Sequence, residues 1–307
     1  MKQFIFRKFD QFNEISGDFY TFFNIDHPSV AWAIQRGMLV STRYCNDTSD
    51  SGFISMMMAE MIRSRSNNRI FNEIIIENYR NKLYKNTISR IKGIYAFNSK
   101  DVALSLIGDS NWPEYFEIRH LSKIKIYCKE KPSILDSNWI TCAKLDINGK
   151  IDPNNTEWID NYFSGIPMND DPLWEVLFEG IAIIEDTDFR RECYLNCLNK
   201  FPNCEPFLIM SRLASEVGTL GGLVSPFLTH RESGVINLDY VLRDIEFHDL
   251  DVLHEMVKHS DFPYLAHIYN KCDELSIPDF RPYGGQFKYT FDDGIGNADP
   301  LVFSVHS

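Results

Sequence analysis

Two carboxylates, Glu175 and Glu179, stand inside a run that otherwise reads as a buried strand, PLWEVLFEGIAII at 172–184. Val176, Phe178, Ile181, Ile183 and Ile184 supply β-branched and aromatic bulk, and Pro172 after NDD supplies a start. Successive strand residues alternate in direction, so Glu175 and Glu179 share one face while Trp174, Val176 and Phe178 share the other. In a helix the two acids would form a mildly repulsive i,i+4 pair; Gly180 and the isoleucines after it favour the strand. A charge buried without a partner costs several kcal/mol. The pair therefore either meets water along an edge strand or lines the rim of a cleft, where a fixed carboxylate has a chemical role.

Further groups are candidates for ligand contact. In RIKGIYAFNSKDVAL (90–104), Ile91, Gly93, Tyr95 and Phe97 alternate with Lys92, Ile94, Ala96 and Asn98. Gly93 permits the close approach of a ligand or a second backbone. Tyr95 offers either a flat stacking face with a polar tip or an ordinary aromatic of a sheet core. Thr21 is the small polar residue of the aromatic run FYTFF, next to Tyr20. Residues 61–100 hold nine basic residues, Arg63, Arg65, Arg69, Arg80, Lys82, Lys85, Arg90, Lys92 and Lys100, against Glu73 and Glu77. That segment is +7 in a chain of net charge −12, so the remainder carries −19. It reads either as a local site for phosphates, with Arg80, Lys82 and Lys85 as acceptor-binding candidates, or as a solvated helix face.

Other chemistries lack their motifs. There is no Walker loop and no GxGxxG; GTLGGL at 218–223 lacks the lysine and strand context of a phosphate loop. The eight histidines form no HExxH pattern, and His248, His254 and His259 are spaced by six and five, which does not align them on one helix face. No GxSxG elbow occurs. Cys193, Cys197 and Cys204 match no zinc spacing and read as core thiols on a helix, so no metal is expected.

The elements that must position these residues follow from pattern. A chain of 307 residues, 44% apolar and 24% charged, has room for one large domain or two. No apolar run approaches a membrane span, the acids Asp10 and Glu14 interrupt any signal-peptide core, and seven scattered cysteines suit a reducing, cytoplasmic setting. GDFYTFFNI (17–25), SRIKGIYAFNS, YFEIRHLSKIKIYCK, NWITCAKLDI and the Glu175 run read as strands. PSVAWAIQRGML, FISMMMAEMIRSR, RIFNEIIIENYRNKLY and SKDVALSLIG, the last capped by Ser99, read as helices. Beyond residue 187, RRECYLNCLNKF, LDYVLRDIEFHDLDVLHEMVKHS and FPYLAHIYNKCDEL read as helical, and the Gly/Pro/Asp-rich end as irregular. The expected architecture is α+β over 1–187, followed by a mostly helical region over 188–307.

In order, these pieces resemble the ADP-ribosyltransferase superfamily, in particular the bacterial branch with a PSR…(F/Y)AF…DA segment, a YWxG step and ExLxxG. The matches are TISRIKGIYAFNSKDVA (87–103), NYFSG (161–165) and EVLFEG (175–180), with DFYTFFNIDHPSVAWAIQRGML resembling the first-strand opening. The resemblance covers about residues 18–185. It implies a split β-sheet core with flanking helices and NAD as co-substrate. It places Glu175 as the catalytic carboxylate and Tyr95 against the nicotinamide ring. Tyr20, Thr21, Ser89 and Arg90 fall to NAD contact. Beside them Glu179 reads either as orienting Glu175 or activating the acceptor, or as a solvated strand-end acid. The sequence departs from the family at Thr21, where an arginine or histidine is usual, and Ile88 stands in place of the proline of PSR. The implied reaction breaks the nicotinamide–ribose bond through an oxocarbenium-like state and transfers ADP-ribose to an intracellular nucleic acid, RNA foremost, or to protein. Toxins of toxin–antitoxin or phage-defence systems occur in the superfamily, which implies an antitoxin protein as a partner. The competing readings are a non-catalytic binding module and an NAD glycohydrolase.

Overall fold

The structure, a computed structural model, describes residues 11–45, 52–64, 66–152, 155–232, 234–245, 250–259 and 276–288. Strand β1 (Asn13–Phe22) buries Phe19, Thr21 and Phe22. Helix α1 (Pro28–Gln35) begins on its proline, and its residues are buried throughout. Gly37, at φ +84°, turns the chain into β2 (Met38–Val40). Two helices follow, α2 (Met56–Arg63), whose N-cap Ser55 accepts from the Met58 N–H, and α3 (Asn67–Leu83). Strand β3 (Ile94–Phe97) leads into α4 (Lys100–Ser105), capped by Ser99 as the sequence predicts.

Next come β4 (Leu121–Cys128), β5 (Ser133–Asp136), α5 (Asn138–Thr141) and α6 (Glu157–Phe163). NWITCAKLDI, expected as a strand, opens instead as α5. The buried Asp136 carboxylate accepts from the Asn138 N–H and turns the chain there, while also accepting from the N–H groups of Met168 and Leu173.

The Glu175 run is two strands rather than one, β6 (Trp174–Phe178) and β7 (Gly180–Ile184), divided at Glu179. They are consecutive in sequence yet apart in the sheet, whose order is β2-β7-β4-β1-β3-β6-β5, every neighbour antiparallel. β1 and β3 meet through a single register pair, Tyr20 with Phe97, so the sheet is two halves joined at that point. Gly180 makes the crossing possible. A Cβ there would lie 2.1 Å from the Tyr127 carbonyl oxygen, and the Gly180 N–H donates to Ser41 Oγ at 2.9 Å. Gly180→Ala is accordingly expected to cost about 3 kcal/mol, the upper end of the overpacking range, as measured by urea unfolding.

Beyond residue 187 the structure corrects the expectation of a mostly helical region. Helices α7 (Thr187–Lys200), α8 (Glu205–Glu216) and α9 (Leu250–His259) are present. Between and after them β8 (Val224–Glu232), β9 (Val235–Leu242) and β10 (Gly285–Lys288) form a second, three-stranded antiparallel sheet. LDYVL, expected as helix, is the end of β9, because Ile236 and Leu238 alternate inward over α2 and α3 rather than following a helical stripe. FPYLAHIYNKCDEL lies outside the described residues. One core runs across residue 187: Val30, Trp32, Ile184, Cys193, Cys197, Cys204 and Leu213 belong to a single cluster. Trp32 Nε1 donates to the Gly222 carbonyl, and the buried Arg36 guanidinium donates to the carbonyls of Ser211, Thr219 and Gly221. Among the described residues no helix is long and apolar enough to cross a membrane.

Candidate active site

The register places Glu175 opposite Phe97 on one side and Leu135 on the other, on the sheet face covered by α3 and α6. It is 1% exposed, and the cost of burying it is met by a set of paired groups. Arg90, in the turn before β3, grips Glu73 of α3 through Nε and Nη2, both at 2.9 Å. Its Nη1 donates to Tyr162 Oη at 2.6 Å and to Glu175, and the Tyr162 hydroxyl also donates to Glu175. Burial opposes the Arg90 charge, but Glu175 and Glu73 outweigh it and hold the guanidinium charged well above its usual range. Burial likewise raises the Glu175 carboxyl, with Arg90 pulling it back in part. The hydroxyls of Tyr95 and Tyr162 are both raised by burial.

Tyr95 closes this group on its other side. Its hydroxyl donates to the Arg90 carbonyl at 2.9 Å, and the Arg90 guanidinium lies 5.1 Å from its ring centroid. Ser89 builds the turn that presents Arg90: its Oγ accepts from the Lys92 N–H and its carbonyl from the Gly93 N–H.

Tyr95 also lines a cleft open to solvent. Its walls come from the end of β1 (Thr21 to Asn24), from 39–42, from the start of α2 including Glu60, from 92–97, from the loop with Trp112, Tyr115 and Phe116, and from Val224 to Pro226 of β8. The C-terminal sheet thus builds part of the cleft. Glu60 is the carboxylate among the described lining residues; it accepts from Asn24 Nδ2 at 3.2 Å and pairs with Arg63.

Of the residues expected at a site, the structure brings Thr21 and Tyr95 together on the cleft and sets Glu175 and Arg90 directly behind Tyr95. Tyr20 pairs with Phe97 and packs against the aromatic cluster of Phe22, Phe97, Trp112 and Phe116 that lines the cleft, without lining it itself. Glu179 does not touch Glu175, because it occupies the break between β6 and β7 and pairs with Arg43 at 2.8 Å. Arg80 is turned inward: it is bidentate to Glu77 and donates to the Thr87 carbonyl, leaving it nothing to offer an acceptor. Lys82 and Lys85 are exposed. Arg65 lies outside the described residues. The basic segment is therefore not one charged face, since Arg63, Arg80 and Arg90 are held in internal ion pairs. Sequence reasoning missed Asn24, Glu60, Trp112 and Tyr115. Their signals are faint: an acid inside the methionine-rich MMMAEMIR, and the aromatic density of NWPEYFE (111–117).

Among the described residues no group of three or more metal-ligating side chains could hold a metal ion. Cys193, Cys197 and Cys204 are buried in the core, their thiols raised by burial. A comparison with curated proteins gives no match. Residues 6–189, which carry β1 to β7, Arg90, Glu175 and all of the cleft except its β8 wall, match the model of a family described as a protein of unknown function (DUF2441), and the chain belongs to that family.

Proposed function

We propose that this protein is an NAD-dependent ADP-ribosyltransferase that binds NAD in the cleft and transfers ADP-ribose to an acceptor inside the cell. The observation that carries the reading is the position of Tyr95, a residue of the cleft lining with Thr21 whose ring lies over the Arg90 guanidinium that pairs with Glu175. The three residues come from β1, β3 and β6, which are neighbours in the sheet. In the proposed reading they supply an NAD contact, a nicotinamide platform and a carboxylate.

The chemistry follows from these groups. The bond between ribose C1′ and the nicotinamide nitrogen breaks, its electron pair leaves with neutral nicotinamide, and the sugar gains oxocarbenium character. A carboxylate beside C1′ stabilises that charge, and an acceptor oxygen or nitrogen then bonds to C1′ and gives up its proton. Glu175 reaches the sugar by releasing Arg90. The release leaves no orphaned cation, because Arg90 keeps its bidentate partner Glu73. The acceptor we assign is nucleic acid, which the exposed Arg69, Lys82, Lys85 and Lys100 suit through phosphate contact.

The test is incubation of the full chain with NAD labelled in its ADP-ribose part, together with separate RNA, DNA and protein pools. Label on the RNA or DNA pool is expected. Label on protein alone would overturn the acceptor, free ADP-ribose alone would make the protein a glycohydrolase, and no turnover would leave a binding module.

A further inference from the structure

The transferase reading, on which this inference rests, asks Glu175 to face a sugar, yet two donors already meet it. Arg90 Nη1 and the Tyr162 hydroxyl both donate to one oxygen, Oε1, so Oε2 accepts from none of the described residues. The carboxylate is thus held by one atom and has the other to present. Arg90 has a second partner, since Glu73 already binds its Nε and Nη2. Tyr162 has none: its single proton goes to Glu175, and its oxygen accepts from Arg90 Nη1 at 2.6 Å.

The surroundings fix this hydroxyl in place. Tyr162 lies on α6 and is fully buried. Its ring stands edge-on to Phe163 at 4.9 Å, and the Arg90 guanidinium lies 5.4 Å from its centroid. Burial raises the hydroxyl well above its usual range, so it keeps its proton and stays a donor. The titratable groups facing Glu175 are Arg90 from the turn before β3, Glu73 from α3, Tyr95 from β3 and Tyr162 from α6. On β5 the residue opposite is the uncharged Leu135. Burial raises the Glu175 carboxyl; Arg90 and then Tyr162 oppose it.

We infer that Tyr162 is the positioning residue of the reaction, its hydroxyl holding Oε1 of Glu175 when Arg90 withdraws to Glu73, so that Oε2 faces the ribose in a fixed direction. It acts through Glu175 and not on the sugar. A donor to the charged form stabilises that form, so losing the hydroxyl changes the pH at which Glu175 ionises.

The experiment compares the full chain with Tyr162→Phe, which keeps the ring and removes the hydroxyl. Tyr84→Phe serves as control, because it removes a hydroxyl of the same cluster that donates to Asp160 instead. Two quantities are followed against pH: NAD turnover, and the Glu175 carboxyl signal by carbon-13 NMR of glutamate-labelled protein, identified by its loss in Glu175→Gln. Tyr162→Phe is expected to move the acid limb of kcat and the carboxyl midpoint upward by about one pH unit, roughly a tenfold loss of kcat along that limb. KM for NAD should stay unchanged, and Tyr84→Phe should match the wild type. An unmoved midpoint, or a loss of kcat equal at every pH, overturns the positioning role, and NAD turnover by the wild type leaves the transferase reading standing in either case. A midpoint that moves in a chain without NAD turnover keeps Tyr162 as the group that positions Glu175 and removes the transferase reading. A midpoint that stays put in such a chain overturns both.

Discussion

Glu175→Gln is expected to lower NAD turnover by about a hundredfold or more, the usual loss when a preorganised charge is removed from beneath a transition state. Because Gln is close to the size of Glu and Arg90 keeps both contacts to Glu73, the fold is expected to persist, as near-ultraviolet circular dichroism would show. Glu73→Gln is the comparison that gives the result its meaning. It too takes one of the two acids from Arg90, but on the side away from Tyr162. If Glu175 acts on the ribose, only Glu175→Gln loses kcat. If the two variants lose turnover equally, the loss comes from an unbalanced Arg90, and if both keep wild-type turnover Glu175 is purely structural.

The largest stability effect is expected at Arg90. Arg90→Met removes the cation that faces two buried carboxylates, Glu73 and Glu175, 5% and 1% exposed. Breaking one partner out of such a group costs roughly 3–5 kcal/mol, because the remaining charges stay buried without compensation. The loss should depend on pH with a definite sign. Burial raises the Glu175 carboxyl and Arg90 lowers it, so without Arg90 the folded variant holds a proton there that unfolded chains release at about pH 4. Folding is then favoured at low pH and weakens as pH rises through that window. Urea unfolding should show a wider gap between variant and wild type at pH 8 than at pH 5. A gap of equal size at both would mean that Arg90 acts by packing, not by charge.

How far the sequence leads depends on the range of the interaction that decides each element. Local rules suffice for α4, whose Ser99 cap and Asp101 in the first turn are adjacent in the chain. They suffice for α3, whose length outweighs the ambiguity of its isoleucine triplet. They fail for the Glu175 run, because its division into β6 and β7 is imposed by partners far away, β3 and β5 on one side, β4 and β2 on the other. LDYVL fails for a related reason: in a short apolar run both periodicities fit, and the neighbouring strand β8 decides. At the site, the anomaly of an acid in a dry strand is legible at Glu175, but its resolution is not. Arg90 is 85 residues away and reaches it only once α3, the turn at Ser89 and β6 have assembled. Thr21 and Tyr95 both line the cleft, from β1 and β3, although the register Tyr20–Phe97 sets their side chains on opposite faces of the sheet. Glu60 lies in a segment whose methionine pattern reads as core filling, and Trp112 between a helix and a strand in a stretch with no pattern of its own.

The crossing from β6 to β7 also bears on how the chain is made. Before residues 174–184 emerge from the ribosome, β3 and β4 each lack one of their two strand neighbours, and each presents an open edge. Ser41 waits for Gly180, 139 residues later, before β2 can be fixed in place. Closing pairs so distant is slow, and open edges invite pairing between nascent chains. Translation through this short strap therefore completes both halves of the sheet at once, and a chain stopped just short of it would carry two sticky edges in place of one finished fold.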